Sequence, residues 1–406
     1  MSDEFYRIKR LPPYVFAEVN RRKAEARAQG RDIIDLGMGN PDTPPPAHVI
    51  EKLAETARDP KAHRYSASRG IEGLRKAQAR YYKRRFGVDL DHDKEICVTL
   101  GSKEGLANLA QAITAPGDVI LSPNPSYPIH AFGFIIAGAT IRSIPTSPGP
   151  DFFHNLDYQM RYTVPKPTVL VIGYPSNPTA ETVDLDFYHD VVNFARHHGL
   201  WVISDLAYAE IYFDGNPPPS ILEVPGAKDV AIEFTSMSKT FSMAGWRMGF
   251  AVGNPELVGA LTRVKSYLDY GAFTPIQVAA VAALDGPEAE IAKRREMYKR
   301  RRDVLIESFG RAGWDLPVPK ASMYVWAPVP PQFAHLGALG FANELIDKAG
   351  VAVSPGVGFG ERGESFVRIA FVENEQRIRQ AARQIRAMFR GEPIEAVSDN
   401  HVETEE

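Results

Sequence analysis

Hydrophobic positions along the middle of the chain alternate between two periods. Short apolar runs, "EICVTL", "DVILSP", "TIRSIP", "TVLVIGYP", "LWVISDLAY", "VAIEFTSM" and "RMGFAVG", read as strands. Helical spacing appears between them in "SKEGLANLAQAIT", "YPIHAFGFIIAG" and "LDFYHDVVNFARHH". Apolar strands alternating with amphipathic helices predict an α/β domain built on a largely parallel, buried sheet.

The flanks read differently. A polar lead-in becomes helical after "LPPY", and "DIIDLGMGNPDTPPP" is a short strand that breaks into a Gly/Pro loop. Helices follow at "AHVIEKLAETA" and in "SRGIEGLRKAQARYYKRRFG", the second closed by Gly87 as a C-cap. After Pro287 the charged helix "EAEIAKRREMYKRRRDVLIESFGRAG" leads to strands around "SMYVWAPV", "VAVSPG" and "SFVRIAFV", then to the helix "NEQRIRQAARQIRAMFR". This is the pattern of a smaller α+β domain. The expected division is 1–47 for an arm and a small-domain segment, 48–287 for the large domain and 288–390 for the small one. The acidic tail 391–406 is expected to be disordered.

A length of 406 residues suits two domains better than one core. With 44% hydrophobic and 24% charged residues, composition is that of an ordinary soluble protein. A formal net charge of -3 offers no footprint for nucleic acid. The basic runs "YYKRRF" and "YKRRRD" are expected on solvated helix faces. The single cysteine, Cys97, excludes an internal disulfide and is expected to be buried in its strand. No metal site is expected. The opening "MSDEFYRIKR" has no apolar signal core and no run approaches a membrane span, so a cytoplasmic location is expected.

Candidate chemistry collects where predicted strands end, which is where parallel sheets bind ligands. "TLGSKEG" turns a strand into a helix at Gly101, Ser102 and Lys103. "GYPSNPT" ends a strand at Asn177, "ISDLAY" at Asp205 and Tyr208, and "TSMSKTFSMAGWR" at Ser236, Ser238, Lys239 and Arg247. A helix start, hydroxyls and an arginine can hold phosphate, an aspartate can pair with a protonated ring nitrogen, and a lysine can form a covalent link to a carbonyl cofactor. Each element alone also has a structural reading: "GSKEG" is a good helix start, and "SNP" is a good turn.

Taken in order, these motifs resemble the class I/II aminotransferases, which are fold-type I pyridoxal-phosphate enzymes. The resemblance spans "DIIDLGMGNP" to "RAMFR" and rests on "YSASRGIEGLR", "GSKEGL", "NPSYPIH", "PSNPTA", "DLAYAEI", "SMSKTFSMAGWRMGF" and "FVRIAF". It implies an α/β large domain with a mostly parallel seven-stranded sheet, a smaller α+β domain, and pyridoxal 5'-phosphate as cofactor. Lys239 is implied as the covalent anchor and proton carrier, Asp205 as the partner of the pyridine nitrogen, and Tyr208 and Asn177 as donors to the ring oxygen. Tyr127 is implied to stack on the ring, and Ser102, Lys103, Ser236, Ser238 and Arg247 to hold the phosphate. Tyr65 is implied to reach the phosphate of a neighbouring subunit, hence a homodimer with shared sites. Arg368 is implied to grip the substrate α-carboxylate, with Gly39, Asn40 and Asn177 beside it.

Within the family, "RLPPYVF", "NPSYPIHAFGFIIAGA", "KSYLDYGAFTPIQVAA" and "PKASMYVWAPVP" are most like bacterial glutamate–pyruvate aminotransferases. That implies exchange of an amino group between L-alanine and 2-oxoglutarate. Aspartate or LL-diaminopimelate aminotransferase is the alternative, and a C–S lyase of the same fold is a more distant one. A regulatory role fused to a DNA-binding module is disfavoured, because the stretch before "DIIDLG" is too short for a winged helix.

Overall fold

A computed structural model describes residues 5–392. The expected tail therefore lies, from residue 393 on, outside the described residues. The strands, in chain order, are β1 (Ile34–Asp35), β2 (Ile96–Thr99), β3 (Val119–Asn124), β4 (Thr140–Pro145), β5 (Pro167–Ile172) and β6 (Trp201–Asp205). They continue with β7 (Ala231–Ser236), β8 (Gly249–Gly253), β9 (Tyr324–Pro328), β10 (Val351–Ala352), β11 (Ser354–Pro355) and β12 (Phe366–Ala370).

Seven strands form one sheet in the order β2-β8-β7-β6-β5-β3-β4. Only β8 runs against its neighbours β2 and β7. The β3/β4, β3/β5, β5/β6 and β6/β7 pairs are parallel. Alternate residues supply two separate apolar layers. Leu170, Ile172 and Val202 join Leu74, Tyr82 and Val191 in one layer. Val169, Val171 and Ile203 join Leu106, Leu109 and Leu257 in the other. Burial on both faces explains why these strands read as continuous apolar runs. Cys97 is buried in β2, as expected.

A second, three-stranded antiparallel sheet has the order β11-β12-β9. Its core includes Tyr298, Leu305 and Phe309 of the helix Glu288–Arg311 and Ile378 and Ile385 of the helix Glu375–Arg390. β1 pairs in parallel with β10, Ile34 opposite Val351, so the N-terminal segment packs with the C-terminal part. Three helices not foreseen in the pattern, Pro150–Tyr162, Pro255–Leu268 and Thr274–Leu284, complete the larger unit. No helix among the described residues is long and apolar enough to cross a membrane.

One expectation is corrected. The run "YKRRRD" is not a solvated face throughout: Arg301 and Arg302 are buried. Arg301 forks onto Asp42, with both N···O distances 2.8 Å. Arg302 meets Asp214 at 2.7 Å and Asp303. Paired guanidinium groups can enter an interior that unpaired ones cannot.

Candidate active site

The carboxyl ends of β2, β5, β6 and β7 open on one edge of the large sheet, and β8 begins there. A cleft of about 300 Å³ lies between this edge and the smaller sheet. Its walls include Gly39, Ser102, Lys103, Tyr127, Asn177, Asp205, Tyr208, Ser236, Ser238, Lys239, Arg247 and Arg368. All were expected from sequence. Asn40 and Tyr65 are not among the lining residues. Asn40 is exposed and donates its backbone N–H to Met38 O at 2.9 Å. Tyr65 is 86% exposed, its ring 4.7 Å from that of Tyr270.

One end of the cleft is built to receive an anion. The helix Ser102–Ile113 starts there, with its first backbone N–H groups free of intrahelical partners. Gly101 caps it at φ +84, and a Cβ at this position would come within 2.2 Å of Arg247 Nη2. Glycine thus admits the guanidinium beside the helix start. Arg247 itself holds a left-handed backbone, φ +55, and donates to Ala244 O at 2.8 Å. Gly249 lets β8 pass close to this turn, since a Cβ would lie 2.7 Å from Ser102 N. The Ser236 hydroxyl accepts from Ser238 N–H at 3.2 Å, which fixes the short helix Met237–Thr240 that carries Lys239. Helix start, Arg247 and the hydroxyls together suit a phosphate.

The middle of the cleft holds the groups for proton chemistry. Lys239 Nζ donates to Gly39 O at 2.5 Å. Burial, helped by the charges of Arg368 and Arg247, pulls its ammonium below the usual lysine range. Asp205, buried at the end of β6, is fixed on both oxygens: Oδ2 lies 2.9 Å from His130 Nε2, and Oδ1 accepts from Ala207 N–H at 3.2 Å. Tyr127 sets its edge against His130, centroids 5.9 Å apart, and burial pushes its phenol up to about 12. Lys103 is exposed, with Nζ 5.9 Å from the Tyr127 ring centre. The Tyr208 hydroxyl donates to the Tyr324 hydroxyl at 3.0 Å. Burial alone would raise Tyr324, but Arg368, Lys239 and this hydrogen bond outweigh it and bring its phenol below the ordinary range. Tyr208 keeps its proton.

The far end is a cationic fork. Arg368, on β12, donates to Asn177 Oδ1 at 2.8 Å, to Gly37 O at 2.8 Å and to Ser354 Oγ at 3.3 Å. Its guanidinium carbon lies 4.1 Å from the Tyr324 ring centre and 4.6 Å from that of Phe359. Arg75, Arg301 and Arg302 are also buried, and each meets a carboxylate. Arg368 meets none among the described residues, and its buried Nε has no partner. A buried guanidinium without a counter-ion, opening on a cleft, asks for a carboxylate from outside the chain. The loop joining Gly37 to Gly39 ties this fork to Lys239, so a carboxylate and an amine site stand side by side, as an α-amino acid requires.

Residues 31–385 match the family described as aminotransferase class I and II. The chain belongs to that family. It is 52% identical to the glutamate-pyruvate aminotransferase AlaC of Escherichia coli K12, over 98% of this chain and 97% of that one. It is 43% identical to an LL-diaminopimelate aminotransferase of Moorella thermoacetica, over 95% and 98%. A solved aminotransferase structure from Staphylococcus aureus superposes with a TM-score of 0.85 at 28% identity, covering 95% of this chain and 99% of that one. The mostly parallel seven-stranded sheet is the fold expected from sequence.

Three members of this aminotransferase site were not singled out from sequence. His130 stands one helical turn beyond Tyr127 in "YPIH", a spacing that puts both on one side. Tyr324 lies in "SMYVW" on β9, beside the strand that carries Arg368. Ser354 sits opposite Arg368 across β11 and β12. Strand pairing, invisible in the linear pattern, brings the last two to the cleft.

Proposed function

We propose that this aminotransferase uses pyridoxal 5'-phosphate and exchanges the amino group between L-alanine and 2-oxoglutarate, giving pyruvate and L-glutamate. The observation that carries the amino-acid reading is Arg368, buried without a counter-ion and joined by the Gly37–Gly39 loop to Lys239. The cofactor fits the donor set: the Gly101 and Gly249 cradle with Arg247 for its phosphate, Asp205 for its ring nitrogen, and the Lys239 amine in the same cleft. When bound, it supplies a carbonyl to take up the amino group and a ring that accepts electrons from the substrate Cα.

The chain's own residues then have distinct tasks. Arg368 forks onto the α-carboxylate and fixes the orientation of Cα. The Lys239 amine, pulled towards neutrality by burial, would move the proton between the substrate Cα and the cofactor's carbonyl carbon. Asp205, held by His130, would keep a proton on the ring nitrogen. Tyr208 and Asn177 would donate to the ring oxygen, and Tyr127 would stack on the ring. Ser102, Lys103, Ser236, Ser238 and Arg247 hold the phosphate, with Lys103 contributing through its backbone or its ammonium. Gly39 and Asn40 flank the substrate carboxylate. Tyr65, exposed on the single chain, reaches the phosphate of a second copy in a homodimer.

The alanine reading draws on the 52% identity to a glutamate-pyruvate aminotransferase, against 43% for an LL-diaminopimelate enzyme. The latter keeps LL-diaminopimelate as the second reading. Steady-state kinetics with alanine, aspartate and LL-diaminopimelate, each against 2-oxoglutarate, decide between them. Alanine is expected to show the highest kcat/KM. An advantage of about tenfold for either other donor exceeds the leakage a methylene-sized pocket difference allows and overturns the substrate assignment.

A further inference from the structure

The helix Val15–Ala28 turns one face to the cleft. Phe16, Val19, Asn20 and Lys23 all line it, and their spacing is that of a single helical stripe. Lys23 is the charged member of the stripe. Its side chain is 12% exposed, and Nζ lies 2.6 Å from Asp35 Oδ2. Asp35 is its hydrogen-bond partner among the described residues, which leaves donor capacity on the ammonium. Asp35 also lines the cleft, and its other oxygen accepts from Gly37 N–H at 3.1 Å and Met38 N–H at 3.3 Å. The Gly37 carbonyl in turn receives Arg368 Nη2. One short loop therefore carries the Lys23 ammonium on one side and the Arg368 guanidinium on the other, both facing the same space.

A transaminase that takes alanine in one half-reaction and glutamate in the other must serve a methyl group and a distal carboxylate with one pocket. We infer that Lys23 is the specificity-determining residue for the dicarboxylate partner: it donates to the distal carboxylate of glutamate and 2-oxoglutarate, and stays on Asp35 when the substrate is alanine. This rests on the 2-oxoglutarate half of the proposed function. With alanine bound, the Lys23–Asp35 pair keeps that wall neutral and buries no lone charge. With glutamate bound, the four-carbon stem lets the ammonium turn to the incoming carboxylate. Asp35 is not left bare, because two backbone N–H groups still hold it. Of the other cations lining the cleft, Lys239 and Arg247 belong to the cofactor end, Arg368 to the α-carboxylate, and Lys103 lies exposed over Tyr127.

The test separates the two half-reactions in the holoenzyme. Glutamate and alanine are each mixed with wild type, Lys23→Met, Lys23→Arg and Asp35→Asn, and half-saturation is read from the cofactor absorbance. Binding of glutarate, an unreactive dicarboxylate of the same length, is measured by titration calorimetry. Lys23→Met is expected to weaken glutamate and glutarate roughly tenfold or more, the scale of one hydrogen bond to a charged group, and to change alanine less than about twofold. Lys23→Arg recovers most of the loss. Asp35→Asn keeps an acceptor for the loop while freeing the ammonium, and shifts the glutamate-to-alanine preference towards glutamate. If Lys23→Met weakens alanine and glutamate equally, the lysine only braces the loop and the inference is overturned. It is overturned also if neither substrate nor glutarate responds. A wild type that fails to react with alanine removes the alanine reading, while the glutamate and glutarate data still decide on Lys23.

Discussion

Arg368 and Asn177 meet across the cleft, Nη1 to Oδ1 at 2.8 Å, and so join the small antiparallel sheet to the loop after β5. The contact holds the guanidinium plane against Tyr324 and Phe359 and leaves its remaining donors for a ligand. Replacing Arg368 with Lys keeps the charge and loses the fork. The expected result is a fall in kcat/KM of roughly two orders of magnitude for every amino donor alike, from lost hydrogen bonds to a charged group. Cofactor binding should be preserved. Kinetics that changed for one donor only would place Arg368 at the side-chain end instead.

In the proposed function His130 acts through Asp205, 2.9 Å from its Oδ2, as a positioning residue. Without the imidazole, the buried carboxylate keeps, among the described residues, the Ala207 N–H at 3.2 Å. His130→Ala is expected to raise the cofactor dissociation constant about tenfold, read by fluorescence on dialysed protein, and to lower kcat more than it changes KM. His130→Asn, which can still donate, should restore part of both. A variant with unchanged cofactor affinity would show that Asp205 needs no such support.

Much of the site is legible in the sequence because its parts interrupt strong patterns. Asp205 ends an apolar strand and Ser102, Asn177 and Lys239 come shortly after one, and a parallel sheet brings such ends to one edge. The helix Ala47–Ala57 follows from spacing, and the end of the helix Glu72–Phe86 from Gly87, which takes φ +70 as a left-handed cap. What the pattern hides are pairings between distant positions. Lys23 and Arg301 read as ordinary charges on charged helices, and their carboxylates, Asp35 at the end of the two-residue β1 and Asp42 in the loop after it, have no periodicity to point back at them. The helix Pro150–Tyr162 was legible in principle, since Phe152, Leu156 and Met160 repeat every four residues. Aromatic and polar neighbours obscure that stripe.

Glu233 lies fully buried on β7, where it accepts from Tyr82, Ser220, Ser204 and Ile221 N–H. Desolvation outweighs these bonds and pushes its carboxyl up to about 7, from an ordinary 4.5. The folded state thus holds a proton that the unfolded chain releases. Its stabilisation is complete below pH 4.5 and is lost as pH rises to about 7, a contribution of a few kcal/mol. Glu233→Gln mimics the protonated side chain and should flatten this dependence. Urea midpoints of wild type and variant at pH 5 and pH 8 test it: the wild type is expected to lose more stability across the interval. Equal losses would mean that Glu233 does not titrate there.

Gly101 offers the sharpest test of the anion cradle. Two constraints meet at this residue, a backbone at φ +84 and the guanidinium of Arg247 within 2.2 Å of where a Cβ would stand. Gly101→Ala must therefore strain the turn or push Arg247 aside. With ψ at 156 this is a region essentially restricted to glycine, so the backbone term costs roughly 1–3 kcal/mol, which a protein of this size tolerates. Displacing Arg247 removes a charged donor from the helix start, and the effect should fall on phosphate binding. Apoenzyme of the variant is expected to fold with a melting temperature only a few degrees lower, yet to bind pyridoxal phosphate at least tenfold more weakly. Inorganic phosphate is expected to stabilise the wild-type apoenzyme through the same cradle and to lose that effect in the variant. If the variant loses thermal stability but binds cofactor and phosphate as wild type does, then Arg247 yields without consequence and the cradle is set by the helix start and hydroxyls alone.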